Sequence, residues 1–238
     1  MPKIFKPEPI LMYHSIGQRP QDEAGAELYS VSEERFKEQI GYLFFQKPGS
    51  VITFDDGYED NYTVALPILQ KTGIKAYFFI IPSKIGTPGY MTWAEVREMR
   101  DAGMTIGSHG MTHRILTPLR NGELDYELRE SKNMLEDNLG HNISYFSIPR
   151  GFYNKRVINR ALEAGYRIVF TSDPKDRGIF RYGRIAVKGD WDIDYFDKVV
   201  NNKIPLVDKG ERAIIDTAKK ILGTRVYDKV RTSVLNGK

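Results

Sequence analysis

Cysteine is absent from the 238 residues. Disulfides and thiolate ligands are therefore excluded, and any bound metal must be held by His, Asp or Glu. That donor set suits zinc or a similar divalent transition ion. The lack of cysteine fits an oxidising or a reducing compartment equally. Histidine is scarce, with four in the chain, so each one is worth placing. Long apolar runs are missing too. The longest, around YFFII, falls far short of the roughly 20 residues a membrane-spanning helix needs. The N-terminal stretch MPKIFKPEPILMYHS has no apolar core and no small-residue cleavage site, so no signal peptide is expected. The chain as it stands reads as cytoplasmic, although one that had lost its leader would look the same. No RNA-binding signature is present, and nucleic acid is not an expected partner.

What is present is ordinary for a globular protein: 41% hydrophobic and 28% charged residues. The length suits one sizeable core. The net charge of +4 is mild and compatible with an anionic partner without selecting one. Short apolar runs alternate with amphipathic ones. ILMY (10–13), VITF (51–54), AYFFII (76–81), MTIG (104–107), ISYFSI, YRIVF and RIAV (184–187) read as strands. Helices are expected over 32–45, 60–71, from Thr92 to near Gly103, 122–139 and about 154–164. Ser32 serves as an N-cap, with Phe36, Ile40, Leu43 and Phe44 on one face, and Thr92 with Glu95 forms a capping box. Such alternation predicts an α/β fold, a parallel sheet clothed by helices, either doubly wound or closed into a barrel. Ligands gather at the carboxyl ends of its strands in both cases. Residues 172–183 read as a polar loop. Residues 1–207 are taken as one domain and 208–238 as a basic helical extension. The extension's apolar and basic faces suit packing on the domain better than a membrane surface, which remains the second option.

Two adjacent carboxylates, Asp55 and Asp56, end the strand VITF. Like charges that close need compensation. SHGMTH supplies His109 and His113, four apart beyond another strand, a spacing that lets two imidazoles face one ion. If Asp56 joins them, its charge is neutralised and a position stays open for water, the pattern of a catalytic site. Asp55 is then placed to take a proton from that water. Solvated loop histidines and a polar strand-to-loop turn are the plain readings of the same residues, and residue types alone leave both open.

TFDDG (53–57), SHGMTH (108–113) and FSIPRGFYN (146–154) together resemble the leading motifs of the NodB-homology polysaccharide deacetylases, carbohydrate esterase family 4. The resemblance runs from about Pro9 to Val187. It implies a distorted (β/α) barrel that hydrolyses N-acetyl groups from the amino sugars of a polysaccharide or oligosaccharide. It implies Asp55 as general base and Asp56, His109 and His113 as ligands of one divalent ion, zinc first, with cobalt, nickel or iron as alternatives. The family's C-terminal LxxH histidine is absent, since the last histidine is His141. His14, in ILMYHSIG, is placed as general acid instead, which is similar to a circularly rearranged subgroup acting on poly-N-acetylglucosamine exopolysaccharides. The arginine that often precedes the third motif's proline is also missing. Ser147, Ile148, Pro149, Arg150 and Gly151 stand there, with Arg150 a candidate oxyanion N–H and Pro149, Gly151, Phe152 and Tyr153 as oxyanion or substrate contacts. Trp191 is a weaker candidate for stacking on sugar. Arg184 is a candidate to orient the base, or else a surface arginine. The link between Leu43 and Val51 is shorter than in the exopolysaccharide subgroup, which is expected to open one side of the cleft or change the glycan accepted. Two other functions compete: a glycan-binding module with weakened turnover, and removal of a formyl or acetyl group from a lipid-linked sugar.

Overall fold

A computed structural model describes residues 9–17 and 26–203. Eight parallel strands form one sheet: β1 (Ile10–Tyr13), β2 (Val51–Phe54), β3 (Ala76–Ile80), β4 (Thr105–Ser108), β5 (Tyr145–Ser147), β6 (Ile168–Thr171), β7 (Arg181–Gly183) and β8 (Ile185–Ala186). Their order is β7-β6-β5-β4-β3-β2-β1-β8. β7 and β8 are separated only by Arg184, so one short stretch pairs with β6 at its start and with β1 at its end. The sheet thereby curls into a nearly closed barrel, one of the two forms the alternation allows and the one the family resemblance implies.

The outer layer is α1 (Glu33–Gln46), α2 (Leu66–Thr72), α3 (Trp93–Asp101), α4 (Asn121–Asp125), α5 (Ser131–Leu139), α6 (Lys155–Glu163) and α7 (Ile193–Val200). Local chemistry sets their ends. The Ser32 side chain caps α1, the Thr92–Glu95 capping box opens α3, and Gly73 and Gly140 close α2 and α5 in the left-handed conformation. Outward strand residues meet apolar helix faces. The Phe54 ring lies against Tyr13, Phe36 and Phe78 in one buried cluster.

Several expectations need correction. Phe44 is 45% exposed, and Gln39 takes the fourth buried place on α1. At about 100° per residue, Phe44 turns off the stripe set by Phe36, Ile40 and Leu43. The segment 172–183 is not all loop, because β7 forms within it. α7 was not anticipated. Two helices are also wider than expected at one turn. Asn61–Ala65 leads into α2 as a π-helical turn, and Tyr126–Glu130 joins α4 to α5 as another. The domain boundary at 207/208 and the basic C-terminal helix lie outside the described residues. No helix among the described residues is long and apolar enough to cross a membrane.

Candidate active site

The chain turns sharply where β2 ends. Asp55 N–H makes the last rung to Tyr13 O (3.0 Å). Asp56 then adopts a left-handed φ of 74° and Gly57 one of 81°. Aspartate tolerates that region better than most residues, so the turn reading and the site reading of DDG describe one geometry. His113 and Arg150 share this backbone state, at φ 62° and 59°. Three of the four non-glycine residues so strained among those described therefore lie in the three motifs, and strain of this kind clusters at functional sites.

Asp56, His109 and His113 come together, with one potential ligand atom from each lying within 4.8 Å of the others. Asp56 Oδ1 is 3.4 Å from Nε2 of both histidines. That is too long for a good hydrogen bond, and this buried oxygen has no hydrogen-bond partner. A buried carboxylate oxygen facing two ring nitrogens is costly unless a cation joins them. The donor set, one carboxylate and two imidazoles, is that of a divalent transition metal, so these residues fit such an ion. His109 is prepared for the part. Its Nδ1 lies 2.9 Å from Ser147 O. A carbonyl only accepts, so Nδ1 carries the proton and Nε2 keeps its lone pair toward Asp56. Burial pushes the His109 pKa down to about 4, which keeps the ring neutral near pH 7.

Asp55 stands beside this cluster, and Arg184 reaches it from the seam between β7 and β8. The guanidinium is bidentate, with one N–H to Oδ1 (2.7 Å) and another to Oδ2 (2.8 Å). It also bonds the hydroxyls of Thr53 (3.0 Å) and Ser147 (2.7 Å). The rings of Phe79 and Phe170 flank it at 5.3 and 5.7 Å. Arg184 is 1% exposed, so the surface-arginine alternative is wrong. Burial alone would raise the Asp55 pKa. Arg184, His109 and His14 outweigh it and hold the carboxyl well below the usual carboxylate range. Asp55 is ionised at neutral pH.

His14 follows β1 beside Asp55. Its carbonyl accepts from Asn61 Nδ2 (2.7 Å), which also bonds Asp60 Oδ1 (2.8 Å), while Ser15 donates to Asp60 Oδ2 (2.5 Å). The His14 ring lies 5.1 Å from that of Tyr29, and its Nδ1 is buried without a hydrogen bond. Pro149, Arg150 and Gly151 form a tight turn after β5, and Gly151 N–H is already taken by Ile148 O (3.3 Å). Phe152 is buried, and the Tyr153 hydroxyl bonds Asp176 (2.7 Å). Trp191 belongs to the core and packs on Tyr195, so it is not an open platform for sugar. Ser147, Thr53, Asp60 and Asn61 went unassigned in the sequence. Only Ser147 had a signal, as the small residue where family members often carry arginine. Its size leaves room for the guanidinium arriving from position 184.

Fold and site together define an α/β-barrel hydrolase of the carbohydrate esterase family 4 type. The chain belongs to the polysaccharide deacetylase family, whose profile, described as "Polysaccharide deacetylase", matches residues 45–169. It is 32% identical over 197 residues to YxkH of Bacillus subtilis, provisionally named a polysaccharide deacetylase, covering 75% of this chain and 71% of that one. It is 30% identical over 147 residues to a peptidoglycan-N-acetylglucosamine deacetylase of Bacillus cereus, covering 58% and 67%. Among solved structures, the Streptococcus pyogenes deacetylase PplD, in complex with acetate, superposes with a TM-score of 0.72 at 25% identity, over 83% of this chain and 98% of that one. IcaB from Ammonifex degensii shares the fold, with a TM-score of 0.64 at 21% identity, over 82% and 96%.

Proposed function

We propose that this protein hydrolyses N-acetyl groups from the amino sugars of a glycan, using a divalent metal ion held by Asp56, His109 and His113. The observation that carries the reading is the buried, unpartnered Asp56 Oδ1 facing two imidazole nitrogens, one residue from an aspartate fixed in its ionised form. The activities named for the Bacillus cereus and Streptococcus pyogenes relatives support it. When bound, the cation would polarise the amide carbonyl and acidify water, which is what lets a base as weak as Asp55 accept a proton.

The chain's own residues do the rest. Asp55 takes the proton of the attacking water, held in line by two N–H groups of Arg184. His14 carries a proton to the departing amine, its loop held by Asp60 and Asn61. Arg150 N–H is the candidate donor to the developing oxyanion, and Gly151 N–H, engaged by Ile148, is a poorer one. Zinc fits the donors best, with cobalt, nickel and iron as alternatives. A position of His14 before the matched segment suits the rearranged exopolysaccharide subgroup.

The test combines metal analysis with acetate release from chito-oligomers. Bound metal and acetate release, cut about 10²–10⁴-fold by Asp55→Asn and by His14→Asn, support the proposal. Metal and glycan binding without release would replace it with the binding-module reading. Formate in place of acetate, from a lipid-linked substrate, would replace it with deformylation.

A further inference from the structure

We infer that Glu127, on the π-helical turn Tyr126–Glu130, is a positioning residue for the candidate metal centre, setting the loop that carries His109 and His113. The inference rests on the metal reading proposed above and extends it to a residue outside the three motifs. Glu127 is 1% exposed, a rare place for a carboxylate. Its carboxylate accepts the Thr112 N–H (2.9 Å) and the Thr112 hydroxyl. Its carbonyl accepts the Met111 N–H (3.1 Å). Gly110 makes the approach feasible, because a Cβ there would stand 3.2 Å from Glu127 Oε2 and 3.3 Å from Pro149 Cγ. All three residues between the two histidines are thus fitted to this one side chain and its backbone.

The helix is irregular where it meets the histidine loop. In a regular α-helix the Glu127 carbonyl would accept the N–H of Ser131. Here that N–H goes to Leu128 O. The Glu127 carbonyl takes Met111 N–H together with the Ser131 hydroxyl (2.7 Å). π-turns recur at functional sites, and this one presents the Glu127 carbonyl to the histidine loop. His113 holds a left-handed backbone that a free loop would relax. The charge-assisted bonds to Thr112, next in chain, oppose that relaxation.

The test is zinc affinity of the full chain, by competition with a chromophoric chelator. Glu127→Gln should weaken zinc binding about 10–100-fold with the far-ultraviolet dichroism kept, and excess zinc should restore turnover. Zinc bound as tightly as in the parent, with only the melting temperature lowered, would overturn the inference by making Glu127 purely structural. Should Glu127→Gln fail to fold, Thr112→Val decides. It removes one hydroxyl bond to Glu127, and an unchanged zinc affinity would equally overturn the inference. His113→Ala separates the two levels: if it leaves zinc affinity unaltered, the metal reading itself fails, whatever Glu127 does.

Discussion

Arg184 and Asp55 show how much rests on single side chains. A buried carboxylate survives only with compensation, and two N–H groups aimed at both of its oxygens supply it. Removing the partner leaves an unpaired buried charge. Arg184→Ala should therefore lower stability by about 3–5 kcal/mol in urea titration and cut turnover, with zinc affinity unchanged. Arg184→Lys keeps the charge but loses the fork, so it should recover stability more than turnover. An alanine variant with parental turnover would remove Arg184 from the chemistry. At this scale the sequence was legible where a residue type declares its chemistry. Asp55, Asp56, His109 and His113 stood out because two carboxylates end a strand and two scarce histidines share a spacing. Thr53, Ser147 and Glu127 did not, since a hydroxyl or a glutamate acquires its task only from what folding brings against it.

Elements were legible when their signals were local. Caps at Ser32, Thr92 and Glu95 mark helix starts, and glycines at 73 and 140 mark stops. β7 was opaque because three residues, RYG, in a polar setting carry no period, and their pairing with β6 is a tertiary fact. The π-turns were opaque for a similar reason, since their apolar spacing differs little from that of an α-helix. β4 offers a test of packing. At Gly107 a Cβ would lie 2.6 Å from the Phe79 ring and 2.9 Å from Tyr145 O. Phe79 is also the ring that flanks Arg184. Gly107→Ala should cost about 1–3 kcal/mol through overpacking, read as a lowered denaturation midpoint. A neutral result would mean that Phe79 yields without loss.

For the whole molecule, the proposed cation would be linked to the fold. A ligand that binds only the native state adds about 2.7 kcal/mol of stability at a hundred times its Kd. Zinc should therefore raise the melting temperature of the parent protein and not that of His109→Ala, and EDTA should lower it and abolish acetate release. An equal zinc shift in both proteins would place the ion elsewhere. The overall alternation of strands and helices was readable, but it did not choose a barrel over a doubly wound sheet, because closure depends on one stretch serving two neighbours; the three motifs, through the family they resemble, supplied that choice.

That shared stretch has a consequence for the order of assembly. The family-matched segment, 45–169, contains Asp55, Asp56, His109 and His113, while His14 precedes it and Arg184 follows it. β1 and β8 bring these outlying parts side by side. During N-to-C synthesis, a chain that has emerged only as far as residue 183 already holds the three proposed ligands, but it lacks the guanidinium that faces Asp55 and the strand that pairs with β1. On the proposed reading, chelation is thus encoded early and turnover late. On the same proposed reading, a chain clipped just before its last strand should still capture zinc and no longer cut amides.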